Sequence, residues 1–109
     1  MSEPQYFGNI NAKTIVIGWG STKNTMIDLL KYNKEIGYLH YEYMFPLKTD
    51  FLKNLLRKND KEVVLVENNF EGQLGKLITE ETGINFSKKL LKYDGRTLTV
   101  DDITEFLNN

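Results

Sequence analysis

Thr14-Ile15-Val16-Ile17-Gly18-Trp19-Gly20-Ser21-Thr22 decides the fold. A β-branched run this short, ended by glycine, suits a strand buried on both faces. Gly18 to Ser21 makes the turn, and Ser21 or Thr22 can accept a bond from the free N–H groups that open the next helix. That helix is expected to run to about Lys34, with Met26, Leu29 and Leu30 at helical spacing on its buried face. Gly37 is placed just past its end, where glycine adopts a left-handed turn at little cost.

The same strand–turn–helix unit recurs along the chain. Tyr38 to Tyr43 reads as a second strand, ended by Pro46. Thr49 is the expected N-cap of a helix with Phe51, Leu52, Leu55 and Leu56 inside. Arg57 and Lys58 fall in its last turn, where cations suit the helix dipole. Val63 to Glu67 is a third strand. Asn68-Asn69-Phe70-Glu71-Gly72 leads into a helix with Leu74, Leu77 and Ile78 inside, stopped by Gly83. Lys89 to Tyr93 is a fourth strand, Asp94-Gly95-Arg96 a turn, and Thr99-Val100-Asp101-Asp102 a capping box before a last helix through Phe106 and Leu107. Alternating apolar strands and helices predict an α/β fold, a three-layer α/β/α sandwich with a mostly parallel sheet. Residues 1–11, polar and broken by Pro4 and Gly8, read as a linker or lead-in that Tyr6, Phe7 and Ile10 could pin to the body. Residues 12–109 read as one domain.

Composition narrows the functional classes. The 109 residues are one domain's worth, 40% hydrophobic and 27% charged. A chain of this length buries about 65% of its unfolded surface and needs no disulfide or metal to hold a core. The net charge of −1 and pI of about 5.8 argue against nucleic acid as a partner. With no cysteine, the chain holds neither an iron–sulfur cluster nor a thiolate zinc site. There is no signal peptide at Met1-Ser2-Glu3-Pro4-Gln5 and no apolar run of membrane-spanning length, so a cytoplasmic location is the default expectation.

In sheets of this kind ligands bind at the carboxyl ends of the strands, and three turns fall there. Gly18-Trp19-Gly20-Ser21-Thr22-Lys23-Asn24-Thr25 offers hydroxyls and a helix start to a phosphate. It looks like the phosphate loop of flavodoxins but is one residue shorter and lacks the glycine expected before Asn24. The preferred reading is a structural turn with a capping hydroxyl. Glu67-Asn68-Asn69-Phe70-Glu71-Gly72-Gln73 clusters carboxylates and amides, which can grip a ligand or, as preferred here, tie a loop to a helix start. Leu39-His40-Tyr41-Glu42-Tyr43-Met44-Phe45-Pro46 carries the single histidine. It is expected in a hydrogen-bonded place beside the sheet, because one histidine without cysteine or an acidic triad makes a poor metal or nucleophile site. Tyr41, Tyr43 and Phe45 are more aromatic surface than a small core absorbs, and such density at a strand end marks contact surfaces.

Together these stretches resemble one family. Ile15 to Thr22, the aromatic strand ending in Phe45-Pro46, Val66-Glu67-Asn68-Asn69-Phe70-Glu71-Gly72-Gln73-Leu74, and Leu91-Lys92-Tyr93-Asp94-Gly95-Arg96 occur in that order and at similar spacing in α subunits of 2-oxoacid:ferredoxin oxidoreductases. The similarity is to their C-terminal domain, which is transketolase C-terminal-domain-like, and covers about Ala12 to Leu107. Many relatives carry a second proline after the aromatic strand, where Leu47 and Lys48 follow Pro46 here.

The resemblance implies a parent enzyme that oxidises a 2-oxoacid to its acyl-CoA with thiamine diphosphate and magnesium, passing electrons through iron–sulfur clusters to ferredoxin. It also implies that no cofactor and no catalytic residue sits in this domain, so the fragment alone is expected to be inactive. Partners would be the remainder of the α subunit, the β subunit, γ or δ subunits where present, and ferredoxin for the complex, with no membrane involved. The Glu-Asn-Asn-x-x-Gly-Gln-Leu style leans toward 2-oxoglutarate-type or branched-substrate enzymes over pyruvate-type ones. The abrupt start suggests a fragment or a subunit encoded in pieces. Gly18, Gly20, Ser21, Tyr43, Phe45, Pro46, Glu67, Asn68, Asn69, Gly72, Gln73, Asp94, Gly95 and Arg96 are the family-motif turns and the candidate interface. One edge strand is antiparallel in that family, and strand order is open from sequence. The alternative is a stand-alone flavodoxin-like module binding FMN or another phosphate compound through Gly20 to Thr25.

Overall fold

β-Branched residues and their spacing place five strands and four helices in the computed structural model, which describes residues 4–19, 22–42, 49–57, 61–67, 73–91 and 99–108. The elements are β1 (Gln5–Gly8), β2 (Thr14–Trp19), α1 (Thr22–Leu30), β3 (Ile36–Tyr41), α2 (Asp50–Leu55), β4 (Glu62–Glu67), α3 (Gln73–Thr82), β5 (Lys88–Leu91) and α4 (Val100–Asn108). The sheet order is β1-β3-β2-β4-β5. β2, β3, β4 and β5 run parallel, and β1 pairs antiparallel with β3 at the edge.

Alternation along the strands builds a core on each face. Ile15, Ile17, Leu39, Tyr41 and Leu65 pack with Leu52 of α2 and with Leu74 and Ile78 of α3. Val16, Tyr38, Val64 and Val66 pack with Met26 and Leu29 of α1 and Ile103 of α4. Both faces of β2 and β4 are therefore covered, which is why their sequences are continuously apolar.

Three expectations need correction. Residues 5–8, read as lead-in, form β1. Tyr6 tilts against Phe51 at 5.8 Å between ring centres, and Phe7 stacks on Tyr38 at 6.3 Å. These two neighbours serve opposite faces, as period-2 geometry requires. Helix α1 ends at Leu30, and Gly37 lies inside β3, paired with Gly8 and Ile15, and not at a helix end. Thr49 precedes α2 but makes no side-chain cap bond. Other expectations hold. Gly83 stops α3 with φ of 78°, donating its N–H to Thr79 O at 2.8 Å. At α4, Thr99 N–H donates to Asp102 Oδ2 and Asp102 N–H to Thr99 Oγ1, each at 3.0 Å.

Candidate functional site

The parallel sheet brings Gly18, Trp19, His40 and Glu67 to its carboxyl end, with each side chain sent to one face or the other by position along its strand. On the α1–α4 face, Tyr38 and His40 are two residues apart on β3 and share that face. The Tyr38 hydroxyl and His40 Nδ1 are hydrogen-bonded at 2.7 Å. His40 is buried, and its Nε2 lies 3.8 Å from Glu42 Oε1. Lys23 of α1 approaches the same carboxylate at 3.8 Å and donates to Gln5 Oε1 of β1 at 2.9 Å. Burial lowers the proton affinity of His40, with Glu42 acting against this and Lys23 with it. Burial, aided by Glu42, holds the Tyr38 hydroxyl far above the ordinary phenol value. The pair is therefore a neutral hydrogen-bonded unit inside the sheet's flank. Gly18 makes room for it, since a Cβ there would stand 2.8 Å from Val66 O and 3.1 Å from the Tyr38 hydroxyl oxygen.

On the α2–α3 face, the Glu67 carboxylate is fully buried. Its Oε1 accepts from Trp19 Nε1 at 3.0 Å and from Leu74 N–H at 3.1 Å. Its Oε2 accepts from Gly75 N–H at 3.3 Å. A helix start attracts negative charge because its first N–H groups lack partners within the helix. Here the chain's own carboxylate fills that role for α3, so Glu67 ties strand, turn and helix together. At α1, Thr22 buries a hydroxyl with no hydrogen-bond partner among the described residues. No group of His, Cys, Asp and Glu among the described residues could hold a metal ion.

Of the motif residues, Gly18 and Glu67 are brought to the same end of the sheet on opposite faces. Gln73 opens α3, and only its backbone is described. Gly20, Ser21, Tyr43, Phe45, Pro46, Asn68, Asn69, Gly72, Asp94, Gly95 and Arg96 lie outside the described residues. Tyr41, one of the surplus aromatics, is buried. Sequence reading missed Trp19 as the partner of Glu67, because the two are 48 residues apart. It also missed the Tyr38–His40 pair, for which the i, i+2 spacing on a strand was the available signal.

The chain as a whole has counterparts among known proteins. No family model matches the chain. Subunit α of 2-oxoacid:ferredoxin oxidoreductase 1 from Aeropyrum pernix is 33% identical over 93% of this chain and 17% of its own length. The alpha chain of a probable 2-oxoacid ferredoxin oxidoreductase from Thermoplasma acidophilum, a crystal structure, is 32% identical, with 97% of each chain covered and a TM-score of 0.60. A 2-oxoglutarate:ferredoxin oxidoreductase from Magnetococcus marinus, solved with 2-oxoglutarate, coenzyme A and succinyl-CoA bound, matches 99% of this chain and 19% of its own. Its TM-score is 0.86 at 20% identity, a likeness of fold. The chain belongs to the family of 2-oxoacid:ferredoxin oxidoreductase α subunits. It spans 17% of the length of the Aeropyrum relative. No helix among the described residues is long and apolar enough to cross a membrane.

Proposed function

We propose that this chain is an assembly domain of the α subunit of a 2-oxoacid:ferredoxin oxidoreductase, contributing framework and contact surface and no reacting group. The observation that carries this reading is the match of nearly the whole chain, at 33% identity, to a small part of a much longer α subunit. The carboxyl-end chemistry supports it. Glu67, the buried carboxylate where a ligand would bind, has both oxygens engaged by Trp19 and α3. Tyr38 and His40 are turned inward on each other.

The parent reaction would convert a 2-oxoacid, of 2-oxoglutarate type before pyruvate type, to its acyl-CoA. Thiamine diphosphate with magnesium, coenzyme A and iron–sulfur clusters would be held by the rest of the complex, and ferredoxin would receive the electrons. Contacts to the remaining α-subunit domains and to the β subunit would run through the turns at the sheet's carboxyl end, with Tyr43 and Phe45 as aromatic anchors.

The test is association with the other subunits from the same source, measured with 2-oxoacid-dependent, CoA-dependent electron transfer. Phe45→Ala and Tyr43→Ala are each expected to weaken association by roughly 30-fold, about 2 kcal/mol, with little change in the unfolding of the isolated chain. A chain that stays alone beside the other subunits, in a complex that is fully active without it, defeats this reading.

A further inference from the structure

The end of the sheet opposite the strands' carboxyl ends carries a groove. It lies where the segment before β2 and the residue before β4 meet α2, and has a volume of about 710 Å³, within the range of roughly 300–1,000 Å³ typical of ligand sites. Ile10, Phe51 and Leu55 give it an apolar lining, and Lys13, Arg57 and Lys61 line it with charge. Ile10 is 49% exposed and, with Tyr32, is one of two exposed large hydrophobic residues among the described ones. Lys61 donates to Ala12 O at 2.6 Å, which holds its ammonium at the groove.

The charge here departs from that of the whole molecule. The chain as a whole is nearly balanced, at −1. The sequence from Asp50 to Glu62 carries Lys53, Arg57, Lys58 and Lys61 against Asp50, Asp60 and Glu62, but at the groove itself Lys13, Arg57 and Lys61 stand with no acidic residue among the described ones that line it. Exposed apolar surface framed by like charges is a recognition surface for a segment that reverses that charge.

We propose that this groove docks an acidic, amphipathic polypeptide segment. Apolar side chains of the segment sit over Ile10, Phe51 and Leu55, and its carboxylates face Lys13, Arg57 and Lys61. The proposal rests on the assembly reading only in taking a polypeptide as the occupant. It places a second contact surface at the end of the sheet away from Gly18 and Glu67.

The test is a titration of the isotopically labelled chain, followed through the Ile10 and Leu55 methyl signals. The probe is a short synthetic peptide of Glu-Leu-Leu-Glu repeats. The controls are the same peptide with Lys or with Gln in place of Glu, and decanoate. Saturable shifts confined to the groove are expected with the Glu peptide. Arg57→Glu and Ile10→Asp, both at exposed side chains, should each weaken binding by roughly tenfold while the remaining spectrum stays unchanged.

Four outcomes overturn the proposal. They are no shift at millimolar peptide, equal binding of the Lys or Gln peptide, equal occupancy by decanoate, or concentration-dependent shifts of the same methyls without peptide. The last would assign the groove to a second copy of this chain. None of these outcomes touches the subunit-association measurement, so the two readings fail separately.

Discussion

Helices α3 and α4 both begin on a carboxylate that accepts backbone N–H bonds, but the carboxylates come from different distances and environments. At α4 the group is Asp102, three residues from Thr99, and the exchange of bonds is completed in solvent within one turn. At α3 it is Glu67, at the end of β4, seven residues before Leu74 and eight before Gly75. It is fully buried and also accepts from the indole of Trp19 on β2. The first cap is a local device that any peptide with this spacing can make. The second is completed by the Trp19 indole only when β2 and β4 are paired. In return it joins two strands and a helix where water cannot replace a lost partner. A buried donor left without its acceptor carries the full cost of desolvation, whereas an exposed one is re-solvated.

That difference sets the order of the expected effects. Glu67→Ala strands the Trp19 indole N–H and the Leu74 and Gly75 amides, and should cost about 3 kcal/mol or more in urea unfolding. Amide exchange should quicken first at Leu74 and Gly75, and the Trp19 indole proton should shift. A loss below about 1 kcal/mol would mean that water or a neighbouring side chain takes over the cap, and the contrast between the two helices would collapse. Asp102→Ala should cost only about 1 kcal/mol, read by the same unfolding curve, with faster exchange confined to the first turn of α4.

The smallest effect concerns pH and the third polar device, the Tyr38–His40 pair. His40 in the fold has a proton affinity below the ordinary imidazole value of 6.5, because it is buried. The unfolded chain therefore takes up its proton first as pH falls. This contribution to stability is fully present above pH 6.5 and is lost as pH drops through the folded value. Unfolding midpoints measured across that window should decline on acidification, and His40→Gln should remove that part of the slope. An unchanged slope would assign the decline to carboxylates elsewhere.

Much of the fold was legible in the residues. β2 and β4 announce themselves by continuous β-branched and apolar runs, α4 by its capping box, and the end of α3 by Gly83. β1 was not legible, because the four residues from Gln5 to Gly8 carry too little pattern to separate an edge strand from a lead-in. Gly37 misled for a related reason. Glycine ends helices often enough that its place inside β3 is visible only once Gly8 and Ile15 are seen beside it. Of the candidate site, the tie between Glu67 and a helix start followed from side-chain chemistry. Its indole partner and the inward pairing of Tyr38 with His40 did not.

The sequence by itself determined the alternation of strands and helices, the parallel core, the local cap of α4 and the motif order that marks the family. Each depends on interactions within a few residues, or on a hydrophobic period repeated along one element. Only the tertiary structure decided the strand order β1-β3-β2-β4-β5, the antiparallel edge, the burial of Glu67 against Trp19 and the groove between Ile10 and Leu55. These bring together residues far apart in the chain, and the free energy that fixes them comes from packing whole faces against one another, which no local spacing encodes.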